Sequence, residues 1–182
     1  MPISYPSGII HEHRHTRATV SLFDVSHMGQ IRLQGDDAAK YLESLSPINF
    51  IDLPEGRQTY SYFTNANGGI IDDFIAMKIA SEYRIVVNAA NTRIVLAALE
   101  GNPELECNAE ILDNYSMISL QGPHASRVLS KFAPKAKDMY FMDTRRLLLD
   151  GIPGVVSRSG YTGEDGFEIS TSSKYIEDLA RK

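Results

Sequence analysis

Apolar and polar positions along this chain switch repeatedly between a two-residue and a helical period. Alternation or β-branched and aromatic enrichment predicts strands at 30–33, 59–63, 70–79, 83–88, 109–112, 116–120, 155–159 and 167–170. Helical periodicity predicts helices over 9–20, 38–45, 91–100, 124–132 and 173–182. Local signals punctuate them. Ser7 stands where a side chain can cap the first helix, and Gly35 turns the chain before the second. Asp36 and Asp37 place acidic groups at the positive end of that helix, and Pro47 stops it. Gly101-Asn102-Pro103 terminates the third, and Pro123 sits in the first turn of the fourth. Strands come in short groups separated by single helices, not in strict βαβα order. The expected class is α+β: mostly antiparallel sheets, each covered by helices on one face. No internal repeat or low-complexity segment interrupts the pattern.

One stretch departs from ordinary strand chemistry. Asn65-Ala66-Asn67-Gly68-Gly69-Ile70-Ile71-Asp72-Asp73-Phe74 is a glycine-rich turn that runs directly into two adjacent carboxylates. With Thr59-Tyr60-Ser61-Tyr62-Phe63 before it, the segment reads as a hairpin. Carboxylates are depleted in strands and costly when buried without partners. Successive strand side chains point to opposite faces, so Asp72 and Asp73 cannot form a shared-proton dyad. One can meet solvent or a backbone partner while the other enters a pocket. The alternative is that both belong to the end of the turn, where Asp is common.

Composition narrows the function classes. The 182 residues are 43% hydrophobic and 23% charged, enough for a real core in one domain or two small interlocked ones. A net charge of −5 argues against binding along a phosphate backbone, which needs clustered Lys and Arg. The one cysteine, Cys107, has no disulfide partner and reads as an inert thiol in a reducing compartment. No apolar run reaches membrane-spanning length, and the first residues lack the basic-then-apolar pattern of a secretory signal. His11-Glu12-His13-Arg14-His15 matches the H-E-x-x-H pattern of zinc hydrolases. Arg14 and Arg17 crowd that site with cations, and Ala18 and Ser21 stand where a metzincin needs Gly and His. The expectation is a solvated helix face and no metal.

A second dense region is Arg158-Ser159-Gly160-Tyr161-Thr162-Gly163-Glu164-Asp165-Gly166-Phe167-Glu168-Ile169. Its glycines fit a tight connection whose backbone approaches something closely, and Asp165-Gly166 suits a turn with positive φ. Phe167 and Ile169 share the core face of a strand, so Glu168 points the other way. Glu168 is either solvated on a surface hairpin or a carboxylate that takes paired hydrogen bonds from a ligand's amidine-like edge.

Four motifs together carry a resemblance: Leu22-Phe23-Asp24-Val25-Ser26-His27-Met28-Gly29, then Asn67-Gly68-Gly69-Ile70-Ile71-Asp72-Asp73, then Val86-Val87-Asn88-Ala89-Ala90-Asn91, then Gly160-Tyr161-Thr162-Gly163-Glu164-Asp165-Gly166. In this order and spacing the chain closely resembles the aminomethyltransferase (T-protein) of the glycine cleavage system over essentially its whole length. The resemblance implies an enzyme of one-carbon metabolism. Such an enzyme takes the aminomethyl group from the dihydrolipoyl arm of H-protein and passes its one-carbon unit to tetrahydrofolate. The products are 5,10-methylenetetrahydrofolate and ammonia. It further implies a bacterial cytoplasmic or a mitochondrial matrix location, and a fold that encloses folate among three domains. Here a first subdomain would comprise 1–31 and 129–182, with a second, 32–128, inserted into it.

Matched position by position, Asp73 is the implied catalytic carboxylate and contacts folate, with Ile75 and Met77 on its strand face. Glu168 would accept the pterin's 2-amino group and ring N–H. Met28, Tyr60 and Tyr161 match positions around the folate rings, and Val86 and Asn88 match the neighbouring strand. Full-length members of the family extend beyond both ends of this sequence, including a Gly-Ala-Arg-Asp motif and a third domain. The chain is therefore expected to be a fragment, incompletely active and prone to self-association alone. Two other readings belong to different classes: a folate-binding domain of a dimethylglycine or sarcosine oxidising enzyme, and a non-catalytic folate-binding module.

Overall fold

A computed structural model describes residues 4–100 and 106–182. Chain order in its first half is α1 (Ile9–Ala18), β1 (Ser21–Asp24), β2 (Gly29–Gln34), α2 (Ala38–Leu45), β3 (Gln58–Thr64), β4 (Ile70–Ile79), β5 (Glu82–Val87) and α3 (Thr92–Leu99). Then follow β6 (Asn108–Ile111), β7 (Tyr115–Gln121), α4 (Ala125–Leu129), β8 (Thr144–Leu149), β9 (Ile152–Ser157), β10 (Gly166–Ser172) and α5 (Ser173–Arg181). The class is α+β, as the alternation predicts. Two antiparallel sheets are flanked by helices, ordered β1-β7-β10-β9-β8 and β3-β4-β5-β2-β6. No helix among the described residues is long and apolar enough to cross a membrane.

The chain divides into two compact units. One comprises Ser26–Tyr115 with Met142–Arg145; the other comprises Met1–Val25, Ser116–Phe141 and Arg146–Lys182. These bounds differ from the expected 32–128 insertion: 116–128 group with the terminal segments, while 26–31 and Met142–Arg145 group with the inserted one.

In the first of these units, period-two alternation puts Ile31, Leu33, Phe63, Phe74, Ala76, Tyr83, Ile85 and Val87 on one sheet face. That face packs on Tyr41 and Leu42 of α2 and on Val95 and Leu99 of α3. Phe63 and Phe74 stack with centroids 4.0 Å apart, and the Tyr83 hydroxyl donates to Phe50 O at 2.7 Å. Between β3 and β4, Asn65 Oδ1 accepts the backbone N–H groups of Asn67 and Gly69, which closes the expected hairpin. Arg57 ion-pairs with Asp143 and ties in the Met142–Arg145 segment.

In the other unit β1 runs antiparallel to β7, and β10 to β9. Ile118, Leu120, Leu149, Val156, Phe167 and Ile169 meet Ala125 and Leu129 of α4 and Leu179 of α5. Phe167 and Ile169 are thus core residues, as their parity in β10 requires.

Several expectations need correction. Gly8, not Ser7, occupies the N-cap of α1, with no side-chain cap bond, and the helix ends at Ala18. Asp37 stands at the N-cap of α2, at the positive helix end as expected, and its carboxylate accepts from Lys40 Nζ and from Glu106 N and makes no cap bond. Pro123 precedes the N-cap His124, and α4 is only five residues long before the backbone passes into turns. A 3-10 turn, Ala89–Asn91, precedes α3, while the Gly101-Asn102-Pro103 terminator lies outside the described residues. Strands β1 and β8 are additional to the expected set. Leu22, Phe23 and Asp24 are all exposed, so β1 has no alternation to detect. Leu147-Leu148-Leu149 in β8 is a continuous apolar run of ambiguous period.

Close approach explains Gly29. A Cβ there would overlap Thr92 Oγ1 and lie 2.8 Å from Val87 Cγ2. Gly29→Ala is expected to destabilise the fold by about 1–3 kcal/mol through overpacking, with Thr92→Ala in the same chain recovering part of the loss. Urea unfolding of the single and double variants checks this, and fully additive losses contradict it.

Candidate functional site

In the unit built on Ser26–Tyr115, ladder pairing sets which residues share the face opposite the core. Tyr62 lies across from Asp73, and Tyr60 lies across from Ile75, which pairs in turn with Val86 and then Gln30. Asp72 lies opposite Phe63, so both aspartates are in the ladder and not at the end of the turn. Their parity separates them. Asp72 is 6% exposed on the core face, whereas Asp73 is exposed on the other.

Asp72 accepts three N–H groups: Asn88 N at 3.1 Å on Oδ2, with Asn88 Nδ2 at 2.8 Å and Asn91 Nδ2 at 3.0 Å on Oδ1. Asp73 accepts Asn88 Nδ2 at 2.8 Å on Oδ1 and the Tyr60 hydroxyl at 3.1 Å on Oδ2. Donation to Asp73 is the main cause that raises the Tyr60 phenol above its ordinary pKa, so it stays a neutral donor. Tyr60 is 55% exposed, and Tyr62 and the half-buried Ile75 lie beside it in the ladder. Val86 is buried on this face. Met77 shares the face but is also buried, with Thr144 Oγ1 3.7 Å from its sulfur. Met28 is half-buried in the bend that leads into β2.

The second unit builds its own carboxylate. Glu168 projects from β10 away from Phe167 and Ile169, and its Oε2 accepts the Tyr161 hydroxyl at 3.2 Å, with Ser159 Oγ at 3.4 Å. Burial raises the Glu168 pKa, and these two donors only partly oppose it. Burial raises the Tyr161 phenol too, followed by the charge of Glu168, although the residue as a whole is 57% exposed.

Side chains clamp the loop that carries Ser159 and Tyr161. The Gln121 carboxamide accepts Tyr161 N at 2.9 Å and donates to Ser159 O at 3.1 Å and Ser119 Oγ at 2.8 Å. Arg158 forms a two-point pair with Asp165, at 2.9 and 2.7 Å, and its guanidinium lies over the Phe167 ring. Arg17 binds Thr162 O and ion-pairs with Glu164 at 3.0 Å. Gly160 is required here because a Cβ would overlap Glu164 O. Contrary to the expected Asp-Gly turn, Gly166 already begins β10, and the positive φ falls at Gly163.

Sequence reasoning missed Asn91, Tyr62, Gln121 and Ser159. Two asparagines three residues apart across a 3-10 turn were a usable signal for Asn91. Nothing local marks Gln121 as a loop clamp, because its loop partners lie 38 and 40 residues further on. His11, His13 and His15 are exposed on α1, and His15 Nε2 lies 3.1 Å from Val20 O. Among the described residues, no group of three or more His, Cys, Asp or Glu is placed to hold a metal ion.

Chemically, one unit offers a hydrogen-bonded carboxylate beside exposed aromatic rings. The other offers a desolvated carboxylate suited to N–H donors. Comparison with known proteins gives these features a context. The aminomethyltransferase of Dictyostelium discoideum, described as mitochondrial, is 40% identical over 191 aligned residues, covering 99% of this chain and 47% of the relative. The crystal structure of glycine cleavage system aminomethyltransferase T from Bartonella henselae superposes with a TM-score of 0.92 at 37% identity, over 100% of this chain and 50% of that one. A chain of the heterotetrameric sarcosine oxidase from Corynebacterium sp. U-96 shares the fold at 18% identity, with a TM-score of 0.68 over 94% of this chain and 87% of that one. This chain spans about half the length of the curated relatives it matches. The sequence model of the GCVT N-terminal domain covers residues 1–182, and the chain belongs to that family.

Proposed function

We propose that this chain supplies the folate-binding part of a tetrahydrofolate-dependent aminomethyltransferase of the glycine cleavage system, with lipoylated H-protein as donor. The observation that carries the reading is the split of the aspartate pair: Asp72 is consumed by the fold, while Asp73 faces outward beside Tyr60. A carboxylate so held can orient an amine of tetrahydrofolate and stabilise the positive charge that develops as its nitrogen bonds to the transferred methylene carbon. Ammonia and the dihydrolipoyl thiol leave. Tyr60, Met28, Ile75, Met77 and Val86 would supply apolar and ring contact, and Asn88 would hold Asp73.

Glu168 would take the pterin's 2-amino group and ring N–H in parallel, with Tyr161 alongside. Its desolvation supports this role, because a donor edge offers the buried charge what Tyr161 and Ser159 supply only in part. The likeness to the sarcosine oxidase chain is one of fold alone at 18% identity, whereas relatives at 36–40% identity are named aminomethyltransferases. That difference favours the transferase over an oxidase-attached folate domain. The outward Asp73 disfavours a non-catalytic folate-binding module.

In the intact protein, Asp73→Asn is expected to lower kcat about 10²-fold while tetrahydrofolate affinity stays within a few-fold, since the charge acts mainly in the transition state. Steady-state kinetics check it, and a larger loss from Asp72→Asn would reverse the assignment. Glu168→Ala should weaken tetrahydrofolate binding by about 2–4 kcal/mol. Glu177→Ala is the control, because its partner Arg181 lies on the same exposed helix, α5; Glu164 is unsuitable because its partner Arg17 also holds the loop that carries Tyr161. Equal affinities of the two variants in calorimetry would show Glu168 to be merely solvated. Tyr140, Phe141 and Leu148 are large exposed apolar side chains, and they support self-association of the chain on its own. Sedimentation velocity over a concentration series should show it; a single monomer species throughout would not fit.

A further inference from the structure

The Asn88 carboxamide nitrogen reaches both carboxylates of the aspartate pair, 2.8 Å from Asp72 Oδ1 and 2.8 Å from Asp73 Oδ1. An amide group is planar and its two N–H bonds are rigidly related. Whatever fixes the first bond therefore aims the second. Asp72 is well suited to do so. It is buried, so water cannot readily replace its partners, and it is tied at its other oxygen to Asn88 N and at Oδ1 to Asn91 Nδ2. Asn91 is placed in turn by the 3-10 turn, whose closing bond runs from Asn91 N to Asn88 O at 3.0 Å. Orientation thus passes from the turn to Asn91 and Asp72, through the Asn88 amide, and across β4 to Asp73. On the outer face the remaining hold on Asp73 among these contacts is the phenol of Tyr60, a side chain that is itself exposed.

We infer that Asp72 and Asn91 are positioning residues that act through the Asn88 amide to hold Asp73 in one orientation for the transfer step. The inference rests on the reading of Asp73 as the carboxylate that meets the reacting amine. Its physical content is preorganisation: a group fixed before reaction contributes more to the transition state than one that must be oriented during it. Asp72→Asn has nearly the same shape but replaces one acceptor oxygen with an NH2 group. The buried site presents two donors at Oδ1 and the Asn88 backbone N–H at Oδ2, so the new NH2 group must face at least one donor, and the start of the turn that places the Asn88 amide shifts.

The test uses the intact protein, with kcat and the tetrahydrofolate KM measured separately for Asp72→Asn, Asn91→Ala, Asp73→Asn and the Asp72→Asn/Asp73→Asn pair. Thermal melting accompanies each. Expected is a fall in kcat of about tenfold for Asp72→Asn with KM changed less than about twofold, and a smaller fall in the same direction for Asn91→Ala. In the Asp73→Asn background, Asp72→Asn should cost less than about twofold more, because its route of action is already gone. An unchanged kcat for Asp72→Asn, or a full tenfold cost in the Asp73→Asn background, overturns the inference. If Asp72→Asn does not fold, Asn91→Ala decides alone: loss of kcat at constant KM supports the inference, and an unchanged kcat overturns it. Failure of the underlying reading looks different, since Asp73→Asn itself would then leave turnover intact.

Discussion

Burial of the Asp72 carboxylate in the middle of an apolar ladder is the constraint around which the Ser26–Tyr115 unit is arranged. A charge there is tolerable only if its lone pairs are met, and the chain meets them with three N–H groups from the turn that follows β5. That requirement sets where β5 ends and why a 3-10 turn, not a longer strand, connects it to α3. It also pins β4 against β5 at one register, because a slip of one residue would carry Asp72 out of reach and turn Phe74 and Ala76 away from the core. The outward Asp73 then follows from backbone geometry.

The Met1–Val25, Ser116–Phe141 and Arg146–Lys182 unit meets a similar demand by other means. Its connection between β9 and β10 has no regular structure, so side chains serve as its hydrogen-bonding partners. Gln121 reads the loop much as a neighbouring strand would, with one acceptor and one donor on the backbone of Tyr161 and Ser159. Arg158 and Arg17 hold its two sides through Asp165 and Glu164. Each unit thereby holds a polar site on a stiff element, with a neighbouring side chain or turn to steady it. Binding groups built this way lose little entropy when a ligand arrives.

Family membership and local geometry carry different parts of the functional reading. Identity near 40% to an aminomethyltransferase across the chain speaks to the kind of protein. The alternation that divides Asp72 from Asp73, and the desolvation of Glu168, speak to which atoms can do the work. Together they support the proposed reading, the family match by singling out Asp73 and Glu168 and the geometry by showing how each is held.

The sequence by itself determined most of the regular structure, because burial on one face imposes a period that survives in the residue pattern. The strands at 30–33, 59–63 and 70–79 lie within or match β2, β3 and β4, and the helix at 38–45 matches α2. Opposite faces for Asp72 and Asp73 also followed from parity alone, as did the shared face of Phe167 and Ile169. Where no period exists, nothing was legible: β1 is exposed along three of its four residues, and β8 is a run of leucines after two arginines. Only tertiary structure could decide which aspartate is buried, since parity separates two faces without naming either. It also decided the partners of each carboxylate. Asn88 and Asn91 reach Asp72 across 16 and 19 residues, and Gln121 reaches Ser159 across 38. Such bonds depend on where folded elements bring distant atoms, and no local pattern of residues records that distance.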